Sequence, residues 1–224
     1  MSWEKEIEND LKWREEELAA LRFAVSQSVV GGVAHKALLR ALWTMLYAHY
    51  EGFCLYALRV FLGEVRRSGV ARDECKESLV LFSLESLFRK IRKGTPSTPD
   101  FHAFCKAEFP ALMAAAIDFE TGKDGEFVVA GRSNLYASDL LTHCAAMCLA
   151  ETCIDANKSK LGLLVTRRNA IAHGEEEVVK DLAEYKPYED AAIEAMHDIA
   201  VAVVDALDCR TYLKPEFQPP LFTI

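Results

Sequence analysis

Apolar residues recur at helical spacing along most of this chain. Trp3, Ile7, Leu11, Leu18, Leu21 and Val25 fall on one face, with Glu and Lys on the other, predicting a first helix over residues 2–28. Ser2 stands where a cap belongs, and Gly31-Gly32 breaks the pattern. A second, long helix is predicted from about His35 to Ser68, apolar on most sides and stopping before Gly69. A third covers about Asp73 to Lys93, with Leu79, Phe82, Leu87, Phe88 and Ile91 as its apolar face. Gly94 to Pro99 reads as a loop.

The second half is less regular. Residues 99–119 predict one helix or two short ones, interrupted near Pro110. Thr121 to Glu126 is turn chemistry, and Phe127-Val128-Val129 suffices for a minor strand at most. Helices follow from about Ser138 to Cys153 and from about Lys158 to His173, with Gly174 suited to a left-handed helix cap. Glu175 to Tyr185 is acidic and mixed. Pro187 suits the first turn of a last helix reaching about Leu213, and Lys214 to Ile224 forms an extended tail. The expected fold class is all-α: a helical bundle with long central helices and a small loop or short-strand insertion near residues 120–135. It is expected to form one domain over 1–224, with its core bundle at 35–213.

Composition narrows the function classes. Of 224 residues, 51% are hydrophobic, enough for a substantial core. The net charge of −8 argues against a broad nucleic-acid surface but leaves room for a local basic pocket. The run from Leu38 to Leu62 approaches the length of a membrane span, yet Arg40, His49, Glu51 and Arg59 within it would be costly in hydrocarbon. Seven cysteines without framework spacing, and no secretory leader pattern, suggest a reducing cytoplasm. Cys144 and Cys148 share a helical face, but no second ligand pair has zinc-site spacing, so no metal and no cofactor are expected.

The densest chemistry lies in Arg167-Arg168-Asn169-Ala170-Ile171-Ala172-His173-Gly174. A guanidinium holds phosphate by parallel hydrogen bonds, and an imidazole moves protons near neutral pH. Asn169 and His173, four apart, share a helical face, while Arg168 lies about 140° from His173 and must reach round. Such a pair suits RNA cleavage without a metal. A base takes the 2′-hydroxyl proton, an acid protonates the leaving 5′-oxygen, and the Arg stabilises charge on the phosphate. One His cannot readily serve as both acid and base, so two copies across a dimer axis would complete the site. The plainer reading is a helix-end pair meeting the dipole and nearby acids.

At these residues the chain resembles the HEPN superfamily, whose motif is Arg, a polar residue, a short spacer, then His. Leu163 to Glu175 looks like the motif helix of the MAE-like HEPN group, and Tyr47-Ala48-His49-Tyr50-Glu51-Gly52-Phe53 is similar to that group's second helix. Ser133-Asn134-Leu135 and Tyr212-Leu213 also match. The resemblance implies a helical homodimer and a metal-independent ribonuclease, a toxin of a toxin–antitoxin pair or of phage defence, with an antitoxin protein as partner. It also implies that Arg168 binds the scissile phosphate, Asn169 orients Arg168 or His173, and His173 is acid or base. Glu175 stands where some HEPN toxins have a modifiable Tyr, which puts that inactivation route in doubt. Arg167 is either a second phosphate contact or a solvated neighbour. Glu51, a carboxylate in an apolar helix, needs a partner. It either reaches the motif helix and fixes Arg167 or Arg168, or is a structural acid bonded within its helix or to a tyrosine. The alternative function is a non-catalytic HEPN module that dimerises and binds a partner protein or nucleotide.

Overall fold

The computed structural model describes residues 2–94, 98–129, 134–150, 153–175 and 179–219. It is built from helices: α1 (Trp3–Gln27), α2 (Val33–Ser68), α3 (Glu77–Gly94), α4 (Thr98–Ala103), α5 (Phe109–Ala114), α6 (Ala137–Ala146), α7 (Ile154–Ala172) and α8 (Leu182–Asp208). Among the described residues there is no sheet, only isolated bridges. The expected short strand reduces to one of these, between Thr121 and Phe127.

The differences from the sequence pattern lie at helix ends. Ser2 occupies the N-cap of α1 with extended backbone, but its side chain makes no capping bond. Residues 98–114 remain helical through Pro110, because Phe104–Glu108 widens into a π-turn. The Phe109 N–H reaches back to the Phe104 carbonyl, and Pro110 then falls in the first turn of α5, where a missing donor is tolerated.

α6 stops at Ala146, several residues before the expected Cys153. Its end is a Schellman turn without glycine: the Leu149 N–H bonds to the Cys144 carbonyl and the Cys148 N–H to the Ala145 carbonyl, with Cys148 at φ 61°. α8 likewise ends at Asp208 rather than about Leu213, with Arg210 at φ 49° and the Thr211 N–H on the Ala206 carbonyl.

α7 and α8 begin earlier than expected. Asp198 Oδ2 accepts the Cys153 N–H at 2.9 Å, which holds the start of α7 four residues before Lys158. Asp181 Oδ1 accepts the Glu184 N–H at 2.8 Å and caps α8, leaving Pro187 inside the helix rather than in its first turn. Without an N–H, Pro187 leaves the Ala183 carbonyl short of its helical partner, one bond in a 27-residue helix.

The chain falls into two compact units. The first comprises Met1–Ala57, Ala130–Thr142 and Glu151–Val201. Its core is built by Trp43, Leu46, Tyr47, Tyr50 and Phe53 of α2, Leu161, Leu164 and Val165 of α7, and Tyr185, Met196 and Ile199 of α8. α1 adds Ile7, Leu11, Leu18 and Val25, all on one stripe. Each such side chain, fully buried, stabilises by about 1.5–3 kcal/mol.

The second unit comprises Leu58–Val129, His143–Ala150 and Ala202–Ile224. It packs Phe61, Leu62 and Val65 with Leu79, Ile117, Phe119, Val203 and Tyr212. Its buried charge, Arg72, is satisfied by carbonyls: Nη1 lies 2.9 Å from the Ala116 oxygen and 3.2 Å from that of Leu112.

In the first unit a fully buried carboxylate joins α1 to α8. Glu189 is 0% exposed and accepts from Arg22 Nη1 at 2.7 Å and from the Tyr185 hydroxyl at 3.2 Å. Burial, then the Glu189 charge, pushes the Tyr185 pKa up, so its hydroxyl remains a donor. Removing the guanidinium leaves the carboxylate with the Tyr185 hydroxyl and, 4.0 Å away, the Lys186 ammonium. Arg22→Met should lower unfolding free energy by about 2–3 kcal/mol in a urea titration, below the full cost of a stranded buried charge because Arg22 is partly exposed. Adding Glu189→Gln to that variant should recover part of the loss; a double variant less stable than Arg22→Met alone would contradict this assignment.

Candidate active site

The motif lies on the last turns of α7, in the first unit. Its backbone ends in a second Schellman turn. The Gly174 N–H bonds to the Ile171 carbonyl at 3.1 Å, and the Glu175 N–H to that of Ala170 at 3.0 Å. Gly174 takes φ 81°, open to glycine without strain. His173 is therefore the residue that closes the helix, at φ −84°, ψ 4°, with its N–H on the Asn169 carbonyl at 2.9 Å. Its side chain is exposed. From α2, Arg40 Nη1 grips the Glu175 carbonyl at 2.9 Å and ties down the turn behind His173.

The two arginines part company. Arg167 is taken by structure: Nη1 pairs with Glu184 Oε1 of α8 at 2.9 Å, and its guanidinium lies 5.0 Å from the centre of the Trp43 ring and 5.8 Å from that of Tyr188. Of the two readings of Arg167, this geometry favours neither a solvated neighbour nor a phosphate contact. The Lys180 N–H, and after it the Arg167 guanidinium, hold the Glu184 carboxyl below its usual range despite burial. Trp43 Nε1 also donates to the Leu164 carbonyl at 3.2 Å, anchoring α7 to α2.

Arg168 meets neutral groups. Nη1 donates to Asn169 Oδ1 at 2.8 Å and to Asn134 Oδ1 at 3.0 Å, and the guanidinium lies 4.3 Å over the Tyr47 ring. Among the described residues it makes no ion pair. A half-buried guanidinium with its charge uncancelled suits an anionic ligand.

Glu51 does not reach either arginine directly. Its Oε1 accepts from the Tyr47 hydroxyl at 2.7 Å and from the Leu135 N–H at 3.0 Å. It is thus the tyrosine-bonded acid, linked to Arg168 through Tyr47 and through the Leu135 backbone next to Asn134. The direct reach fails because Tyr47, one helical turn earlier, offers a nearer donor and itself occupies the face of Arg168. Burial, then the hydrogen bond to Glu51, pushes the Tyr47 pKa up and keeps the hydroxyl a donor. Asn169 Oδ1 accepts from Arg168, and no hydrogen bond joins Asn169 to the His173 side chain among the described residues.

The spacing of the Arg–His motif alone gives no role to Tyr47, Asn134 or Glu184. The signals were present: Tyr47 and Glu51 at a four-residue spacing, and Asp181 three residues before Glu184 in a capping pattern. Ser133 and Glu176 to Val178 lie outside the described residues. Among the described residues no group of three or more His, Cys, Asp or Glu could hold a metal ion. None of the described helices is long and apolar enough to cross a membrane.

The family model described as MAE-like HEPN matches residues 3–212. No curated protein and no solved structure matches this chain.

The Arg167–Glu184 pair has a pH signature. A carboxyl held below its ordinary 4.5 contributes stability that is complete above that value and disappears as acid carries the pH down through the lower folded value. The urea midpoint of the protein should therefore exceed that of Glu184→Gln by a constant margin above about pH 5.5, and the margin should close in more acid solution. A margin that widens toward acid would contradict the assignment.

Proposed function

The chain belongs to the MAE-like HEPN family, and from that premise we propose that it is a metal-independent endoribonuclease acting as one HEPN-like domain in a homodimer. HEPN domains are often ribonucleases, and all-α architecture accords with the family. The observation that carries the reading is Arg168: a motif arginine held by two amide oxygens and an aromatic face, its charge left for a ligand.

In the reaction, Arg168 binds the non-bridging oxygens of the scissile phosphate. The base, His173 of one copy, removes the 2′-hydroxyl proton, and the O2′–P bond forms. The P–O5′ bond breaks as His173 of the second copy protonates the 5′-oxygen, leaving a 2′,3′-cyclic phosphate and a 5′-hydroxyl. Asn169 steadies Arg168, while Arg167 and Glu51 act behind the site, through Trp43 and Tyr47 respectively.

The dimer is supported by the outer face of α7. Leu163, Thr166, Ala170 and His173 follow one another at spacings of three and four, so they line one side of the helix. Leu163 is 46% exposed, an apolar residue uncovered on the motif helix. Two such faces packed about a twofold axis bring two His173 side chains toward one cleft. Within this reading the cell role is that of a toxin in a toxin–antitoxin or phage-defence system, with an antitoxin protein as its restraint.

Purified protein should cleave total RNA or tRNA in the presence of EDTA, leaving 2′,3′-cyclic phosphate ends. Arg168→Ala and His173→Ala should each lower the rate at least about a hundredfold, the scale of a lost acid–base group or oxyanion donor. Equal cleavage by all three proteins removes the proposal. Mass in solution should be that of two chains, and Leu163→Glu should shift it to one and lower cleavage with it. A wild type that is strictly monomeric yet fully active would remove the two-copy mechanism.

A further inference from the structure

Asn134 lies 34 residues before Arg168, outside the motif, yet it meets the motif's arginine directly. A guanidinium only donates, so the Asn134 amide must present its oxygen, as it does at 3.0 Å. Arg168 has five N–H donors. Both hydrogens of Nη1 are used, one on Asn134 and one on Asn169. The remaining donors, on Nε and Nη2, form the side-on fork that matches phosphate, and among the described residues nothing occupies it.

The position of Asn134 is set from α2. The next residue, Leu135, gives its N–H to both the Tyr47 hydroxyl and Glu51 Oε1, each at 3.0 Å. The Tyr47 hydroxyl donates to Glu51 at 2.7 Å, and its separation from Asn134 Oδ1 is 3.4 Å. Tyr47 and Glu51 thus clasp the backbone beside Asn134, and Tyr47 supports the other face of Arg168. An anchor so fixed could have been an Asp, which would bind the guanidinium more strongly. The amide binds it without cancelling its charge.

We infer that Asn134 is a positioning residue for Arg168: held by the clasp of Tyr47 and Glu51 on the neighbouring Leu135 N–H, its neutral oxygen anchors Nη1 and leaves the Nε–Nη2 fork, with its charge intact, for the phosphate. This rests on the ribonuclease reading of the site. Asn134→Asp is the discriminating change, because it keeps shape and adds a carboxylate. Three variants, Asn134→Asp, Asn134→Ala and Arg168→Ala, are compared with wild type. Cleavage is measured as kcat and KM, and binding of an all-2′-deoxy oligonucleotide is measured as a function of salt.

Asn134→Asp should melt at or above the wild-type temperature, yet lose at least tenfold in kcat/KM. Its binding should depend less steeply on salt, by about 0.7 in the logarithmic slope, the value of one single-strand phosphate contact. Asn134→Ala, which leaves the charge but frees the guanidinium, should lower kcat several-fold with little change in KM. If Arg168→Ala is inactive while Asn134→Asp keeps wild-type kcat, KM and salt slope, Asn134 is merely structural and the inference falls alone. If wild type does not cleave, or Arg168→Ala cleaves and binds like it, the ribonuclease reading falls and takes the inference with it.

Discussion

Tyr47, buried, and Glu51, half-buried, sit in a long, largely apolar helix, where polar groups taken from water must find partners or cost stability. They satisfy one another at 2.7 Å, and their remaining acceptor capacity takes the Leu135 N–H. That requirement organises the first unit around α2. It draws the chain before α6 against α2, delivers Asn134 to α7, and places an aromatic face under Arg168. A similar solution recurs one helical turn earlier, where Trp43 gives its N–H to a carbonyl of α7 and its ring to Arg167. Hydrophobic burial determines that these helices pack; the few buried polar groups determine their register.

The two adjacent arginines show how environment separates identical side chains. Arg167 is paired with a carboxylate and lies close to two aromatic rings; Arg168 is held by amides over one ring. Among the described residues, only the first of the two is paired with a carboxylate. In a chain with net charge −8, a cation held by amides offers an anion a local pocket rather than a broad basic surface. The helix end sharpens the contrast: His173 stands on a turn fixed by backbone bonds and by Arg40, so an exposed imidazole sits on a defined backbone.

The helix ends show where pattern reading succeeds. Gly174 announced the end of α7, because glycine is the residue that enters the left-handed region at no steric cost. The ends of α6 and α8 use the same region with Cys148 and Arg210. Non-glycine residues carry no such signal, so periodicity ran past both ends. The early starts of α7 and α8 have different causes. α8 begins on a local cap, Asp181 with Glu184, legible in the sequence but outweighed there by Pro187. α7 begins where it does because Asp198, 45 residues away, holds the Cys153 N–H.

By itself the sequence determined the all-α class, the long second helix, the motif, its helix and its glycine stop, because these rest on local periodicity and backbone chemistry. It also determined which residue types are present for the chemistry: a guanidinium, an amide and an imidazole within six positions. Only the tertiary structure decided which arginine pairs with a carboxylate among the described residues, that the Leu135 N–H joins the Tyr47–Glu51 pair, and that Asn134 joins Arg168. Those outcomes depend on which side chains meet across 17 to 88 residues of chain, and spacing along one helix carries no information about them.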